Sequence, residues 1–155
     1  MNLLKTVTLK ESKNEQTESK NDNVNDLLAT WNRSLLTAAF LLGAIGIALG
    51  ALGAHALKKI LIESELASFE TAVRYQLFGA TTLMVLGFFN PIKKAFVRGS
   101  RLILWGTSLF SGSIYLLLMG KHMGFAYSWI GPITPLGGTL LIIGWLFLLW
   151  GVRSK

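Results

Sequence analysis

From Ser34 to Leu57 the chain runs for 24 residues without a charged side chain. At about 1.5 Å per residue that is enough helix to cross a hydrocarbon core of about 30 Å. Three further apolar stretches follow. Tyr75–Phe89 is only 15 residues long, so it has to extend backward through SELASFETAVR, where Leu66, Phe69 and Val73 keep a helical period and Ser64 is placed to cap. Asn90-Pro91 ends it. Leu102–Gly120 gives a third run of 19 residues. A fourth begins at Thr134-Pro135, a capping residue before a proline suited to the first helical turn, and continues to Val152. The pattern predicts an all-α polytopic membrane protein: four transmembrane helices, at about 34–57, 66–89, 102–120 and 134–152, in one membrane domain over 34–155.

Within these runs the small residues are not scattered. Ala39, Gly43, Gly46, Gly50 and Gly53 are spaced 4, 3, 4 and 3 apart along the first, which places them on one face. Gly137, Gly144 and Gly151 repeat at intervals of seven in the fourth. Such stripes let helix backbones approach closely where lipid is as apolar as the side chains. The second helix offers Ala72, Gln76, Gly79 and Gly87 for the same purpose, and the third offers Ser108, Ser111, Gly112 and Tyr115. The expected result is a tight bundle without room for a wide central pore.

Charge separates the chain into two parts. Residues 1–33 hold five basic and five acidic side chains, and the segment ESKNEQTESKNDNVND is too polar to bury a core, so 1–33 reads as a disordered polar tail. The net charge of +7 therefore belongs entirely to the apolar module. Its lysines and arginines punctuate hydrophobic runs, a membrane-topology pattern and not a nucleic-acid footprint. Arg33, Lys93, Lys94, Arg98, Arg101, Arg153 and Lys155 fall on one side; Lys58, Lys59, Arg74 and Lys121 fall on the other. The excess predicts both termini in the cytoplasm. Trp31, Trp105 and Trp150 are placed for the inner interface, and Phe125, Tyr127 and Trp129 for the outer one.

The chemistry on offer is sparse. With no cysteine in the chain, disulfides, thiolate metal sites and dithiol redox chemistry are excluded. No nucleophile elbow, phosphate loop or paired-carboxylate motif is present, so no catalytic residue, cofactor or metal site is expected. His55 at the outer end of the first helix reads as a cation suited to a helix C-terminus, or else as a pH-responsive group. Glu70 and Arg74 stand four apart, in the order that favours an intrahelical ion pair. With His55, Tyr75 and Gln76 they form a candidate polar cluster at the outer rim, either locking the first two helices or meeting a ligand. Glu63 and Glu65 read as decoration of a solvated helix start. Lys93, Lys94, Arg98 and Arg101 are candidates for anionic headgroups as well as for topology.

The segments GALGAHALK, TAVRYQ, LFSGSIY and ITPLGG followed by GW occur in this order across Leu36–Leu149. Together they resemble the domain of unknown function 423 family, small bacterial inner-membrane proteins related to the eukaryotic transmembrane protein 256 type. The resemblance implies a four-span protein of the bacterial inner membrane and assigns no reaction. One departure is local: family members commonly carry a histidine shortly after the YQ segment, whereas this chain reads Tyr75-Gln76-Leu77-Phe78-Gly79. The long N-terminal tail is an addition to the family core.

Two functions compete on these grounds. One is a non-enzymatic accessory or assembly component, with membrane lipids and either a membrane protein partner or a second copy as its associates, and no nucleic acid. The other is a small-solute or proton-linked transporter using the polar cluster at the outer end of the first two helices. Against the second stands the position of Glu63, Glu65 and Glu70, the three acids outside the tail, near an interface instead of within the membrane.

Overall fold

The structure is a computed structural model in which residues 32–88, 94–124 and 128–154 are described. Nearly all of the expected tail therefore lies outside the described residues, as do Trp31, Asn90, Pro91, Lys93, Phe125, Tyr127 and Lys155. The described chain is all-helical, with no strand. Its long helices are α1 (Arg33–His55), α2 (Glu63–Phe88), α3 (Lys94–His122) and α4 (Ile133–Arg153), with single 3₁₀ turns at Leu57–Lys59 and Ser128–Ile130. Three helical stretches are long and apolar enough to cross a membrane: α1 with the turn that follows it, α3 and α4. Although 26 residues long, α2 is not among them, because Glu63, Glu65, Glu70 and Arg74 crowd its first half.

The start of α1 is fixed by a local device. The Asn32 side chain accepts a hydrogen bond from Leu35 N–H at 3.1 Å, satisfying a donor that a helix start leaves free. Asn32 N–H in turn donates to Gly87 O at 2.9 Å, tying the start of α1 to the end of α2. At the far end, His55 lies in the last turn of the helix. For α2 the cap is not Ser64. Glu65 reaches back so that its carboxylate accepts from Ile62 N–H at 3.3 Å, the side-chain half of a capping box. Thr134 does not cap α4, which starts one residue earlier with Pro132 at the cap position. Its hydroxyl instead meets Ser113 Oγ of α3 at 2.7 Å.

Each helix packs chiefly on its chain neighbours, and the α3–α4 contact is the most extensive. All four contribute to one core, formed by Leu35, Ala39, Leu83, Ile103, Leu141 and Leu148. The α1–α2 seam uses the glycines of α1: a Cβ at Gly46 would stand 2.9 Å from Leu77 Cδ2, and one at Gly53 2.9 Å from Phe69. Gly43 and Gly50 have more space, their nearest neighbours being Ala80 at 3.9 Å and Val73 at 3.4 Å.

The α3–α4 seam is closer still, because backbone meets backbone. Gly137 lies against the backbone of Phe110, a Cβ at Gly106 would be 2.8 Å from Leu141 N, and one at Gly144 would be 3.2 Å from Gly99 O. The face of α3 that packs inward is thus Gly99, Ile103, Gly106, Thr107 and Ser111. That corrects the expected stripe: Ser108 is exposed, and Gly112 has nothing within 4 Å of its Cβ position. Gly99, at the start of this face, falls outside the expected third span for a local reason. Arg98 and Arg101 make 94–101 look like a loop in sequence, whereas the helix begins at Lys94 and carries Gly99 inward while both arginines stay exposed.

Candidate functional site

The polar groups that converge do so at two levels of α2. The deeper is at Gln76, near the helix middle and 3% exposed. Its Nε2 donates to Leu42 O of α1 at 2.8 Å, and its Oε1 accepts from the Tyr115 hydroxyl of α3 at 2.9 Å. One amide thereby joins three helices. Gly46 lies beside this bond: a Cβ there would stand 3.4 Å from Gln76 Nε2. One turn away, the buried Ser111 Oγ donates to Ala72 O at 2.8 Å, a second bond between α2 and α3. A buried amide or hydroxyl is tolerated in an apolar interior only when so partnered. Thr107 Oγ1 is the exception, buried without a hydrogen-bond partner among the described residues. The Thr107 side chain fills the place that a side chain at residue 79 would occupy, so Gly79 admits no larger residue while Thr107 stays.

The second level is eleven residues earlier, about 16 Å up the helix at 1.5 Å per residue. Glu65, its side chain only 8% exposed, pairs with Lys121 Nζ and, at 3.1 Å, with His122 Nε2. Hydrogen bonds from Lys121, then His122, with a further one from Ile62 N–H, hold the Glu65 carboxyl down at about 2 against an ordinary value of 4.5. This corrects the reading of Glu65 as surface decoration. The carboxylate closes the α2 start onto the α3 end, across 56 residues of sequence. A depressed carboxyl contributes stability that is complete above its unfolded pKa and lost as pH falls through its folded one. The contribution of Glu65 is therefore expected to be constant above about pH 4.5 and to disappear between about 4.5 and 2. Thermal unfolding of detergent-solubilised protein checks this: Glu65→Gln should lower the neutral-pH midpoint and flatten the acid slope, and an unchanged slope contradicts the assignment.

The five residues expected to form an outer-rim cluster are not brought together. Gln76 is buried in the interior bond network. Tyr75 faces the other way, its ring 4.8 Å from that of Phe110, beside a cavity of about 430 Å³ between α2 and α4. His55, Glu70 and Arg74 are exposed. Among the described residues both ion pairs are made by Glu65, so the expected Glu70–Arg74 pair does not form. An exposed i,i+4 pair is worth only about 0.3–0.5 kcal/mol, too little to hold two long side chains in one geometry. Of the basic group, Lys94, Arg98 and Arg101 are exposed along the first two turns of α3, on the membrane end opposite Glu65.

Comparison with known proteins follows the same segments. A family model described as "Protein of unknown function (DUF423)" matches residues 49–138, a stretch that contains Glu65, Gln76, Tyr115, Lys121 and His122. The chain is 35% identical over 129 residues to the UPF0382 inner membrane protein YgdD of Escherichia coli (strain K12), covering 80% of this chain and 93% of that one. It is 34% identical over 116 residues to a UPF0382 membrane protein of Staphylococcus saprophyticus, covering 72% and 92% of the two chains. With a UPF0382 membrane protein of Staphylococcus aureus the identity is 33% over 114 residues, covering 70% and 89%. No solved structure matches significantly.

Proposed function

The chain belongs to the DUF423 family of membrane proteins, and on that premise we propose that it is a non-enzymatic accessory or assembly component of the bacterial inner membrane, built as a four-span bundle with both termini in the cytoplasm. The fourth span in this reading is α2. It is 26 residues long, about 39 Å at 1.5 Å per residue, and lies between α1 and α3, which are both apolar enough to span. Its three carboxylates, Glu63, Glu65 and Glu70, fall within its first eight residues, where Glu65 is neutralised by Lys121. Arg33, Lys94, Arg98, Arg101 and Arg153 collect at the other end of the helices, which supports a cytoplasmic assignment for that end. Lys94, Arg98 and Arg101 are also positioned to meet anionic headgroups there.

The observation that carries the accessory reading is the saturation of Gln76. A carrier needs a polar group near the midplane that is free to exchange partners with a solute or a proton. Here the midplane amide is committed to Leu42 O and to Tyr115. The buried carboxylate, Glu65, lies a helix end away. The interior polarity thus fastens helices together and leaves the broad apolar exterior for association. Gentle extraction of the tagged protein from its native membrane, followed by mass analysis, is expected to recover a membrane protein partner in stoichiometric amount. Recovery of the chain alone or only with lipid, together with solute flux in proteoliposomes that Glu70→Gln and Arg74→Gln abolish, would favour the transporter and overturn this reading.

A further inference from the structure

Beyond the two polar levels, an apolar cavity of about 370 Å³ opens at the Glu65 end, between α1 with its following turn and the last part of α3, with Phe69 of α2 at its floor. A volume of this size falls in the range of small-molecule sites, roughly 300–1,000 Å³. On α3 the lining runs from Tyr115 to His122, with Met123 just beyond, a depth of about 10 Å at 1.5 Å per residue. Leu52, Leu57, Ile60, Leu118 and Met119 supply much of the wall. Several of these remain open to the surroundings: Ile60 is 62% exposed, Met119 53% and Met123 64%. Apolar surface lying beside Lys121 and Glu65, where headgroups and water begin, calls for an apolar cover that bulk lipid at midplane does not provide.

The mouth of the cavity says what kind of cover fits. In the turn Leu57-Lys58-Lys59-Ile60-Leu61, the three apolar residues line the cavity, while the two lysines between them are exposed. Neither lysine has a carboxylate partner, since both ion pairs among the described residues belong to Glu65. On the opposite wall His122 is already committed to Glu65, which leaves Lys58 and Lys59 as the free cations beside the cavity among the described residues. An apolar slot bordered by ammonium groups complements a molecule with one hydrocarbon chain to bury and an anionic head to leave outside. A second copy of this chain across a two-fold axis would set lysines against lysines. We propose that this cavity holds an acyl chain of an anionic phospholipid of the surrounding membrane, with its phosphate on Lys58 and Lys59. The site is distinct from the basic group at the start of α3, and it stands whichever face of the membrane this end meets.

The test uses the full chain in phosphatidylcholine nanodiscs doped with phosphatidylglycerol carrying a photoreactive acyl chain, and in parallel discs doped with the matching phosphatidylcholine probe. Phosphatidylglycerol adducts are expected to concentrate on peptides covering 49–61 and 115–123 and to exceed phosphatidylcholine adducts there. Lys58→Gln with Lys59→Gln, both exposed positions, should reduce those adducts on the order of tenfold without moving the unfolding midpoint. Leu118→Trp, which fills the slot and keeps the lysines, should reduce them as well. Equal labelling by the two phospholipids, or adducts spread over the surface of α4, would overturn the proposal. So would displacement of the phospholipid by a free fatty acid at equal concentration. Protection of 49–61 by a co-purified protein, in place of lipid, would overturn it too.

Discussion

Gly137→Ala is expected to destabilise the protein by about 2–3 kcal/mol, the upper range for forcing one extra carbon into a packed interior. The new Cβ would stand 2.7 Å from Phe110 Cα and 3.0 Å from the Leu109 carbonyl carbon. These are backbone atoms and cannot turn aside as a side chain would, so relief requires α4 to move away from α3. That movement opens the neighbouring contacts too, since a Cβ at Gly106 would already be 3.0 Å from Gly137 O. Intrinsic helix propensity points the other way, favouring alanine over glycine by about 1 kcal/mol, which makes the sign of the result informative. Gly112→Ala is the matched control: nothing lies within 4 Å of its Cβ position, and its unfolding midpoint in detergent should stay level or rise. A Gly137→Ala midpoint as high as that of Gly112→Ala would contradict the backbone-contact account of the α3–α4 seam.

Gln76→Leu is the second large effect, expected at about 2 kcal/mol. Interhelical hydrogen bonds within membranes average about 0.6 kcal/mol and reach about 1.7; this substitution removes two of them. It also leaves the Tyr115 hydroxyl without a partner inside the bundle, a further cost of about 1–3 kcal/mol that relaxation would partly recover. Because the orphaned hydroxyl is part of the loss, Gln76→Leu and Tyr115→Phe should not add. The double variant is expected to be less destabilised than the sum of the two single variants, by about 1 kcal/mol. Strict additivity in a double-mutant cycle of unfolding midpoints would show that the two side chains do not share a bond.

What the sequence discloses of this molecule is what depends on neighbours along the chain. Length and apolarity place helices at α1, α3 and α4, and the spacing of Gly46 and Gly53 on one face anticipates the side that meets Leu77 and Phe69. The membrane character and the family resemblance are legible for the same reason, since ordered local motifs carry both. Interactions between distant segments are not. Nothing near Glu65 announces that Lys121 and His122 will stand beside it, and with Ile62 at the cap position the sequence lacks the Ser, Thr, Asp or Asn that would mark a capping box. Gly99 is hidden by Arg98 and Arg101, whose charges suggest a loop where the helix has already begun. Glu70 and Arg74 show the converse: their spacing suits a pair, but exposure removes the incentive to form one. Gln76 belonged to the expected polar stripe, yet its partners, Leu42 O and Tyr115, could be found only by packing α2 between α1 and α3.

The central claim is that α2 crosses the membrane with Gln76 at its middle, locking α1 and α3 on either side. Because the chain has no cysteine, single cysteines can be placed at Ser64, in the first turn of α2, and at Lys94, the first residue of α3 beyond the other end of α2, both exposed. Labelling of intact cells with a membrane-impermeant maleimide should modify Ser64→Cys directly and Lys94→Cys only after the membrane is opened. Modification of both from the same side would mean that α2 does not cross, and the four-span account would fall with it.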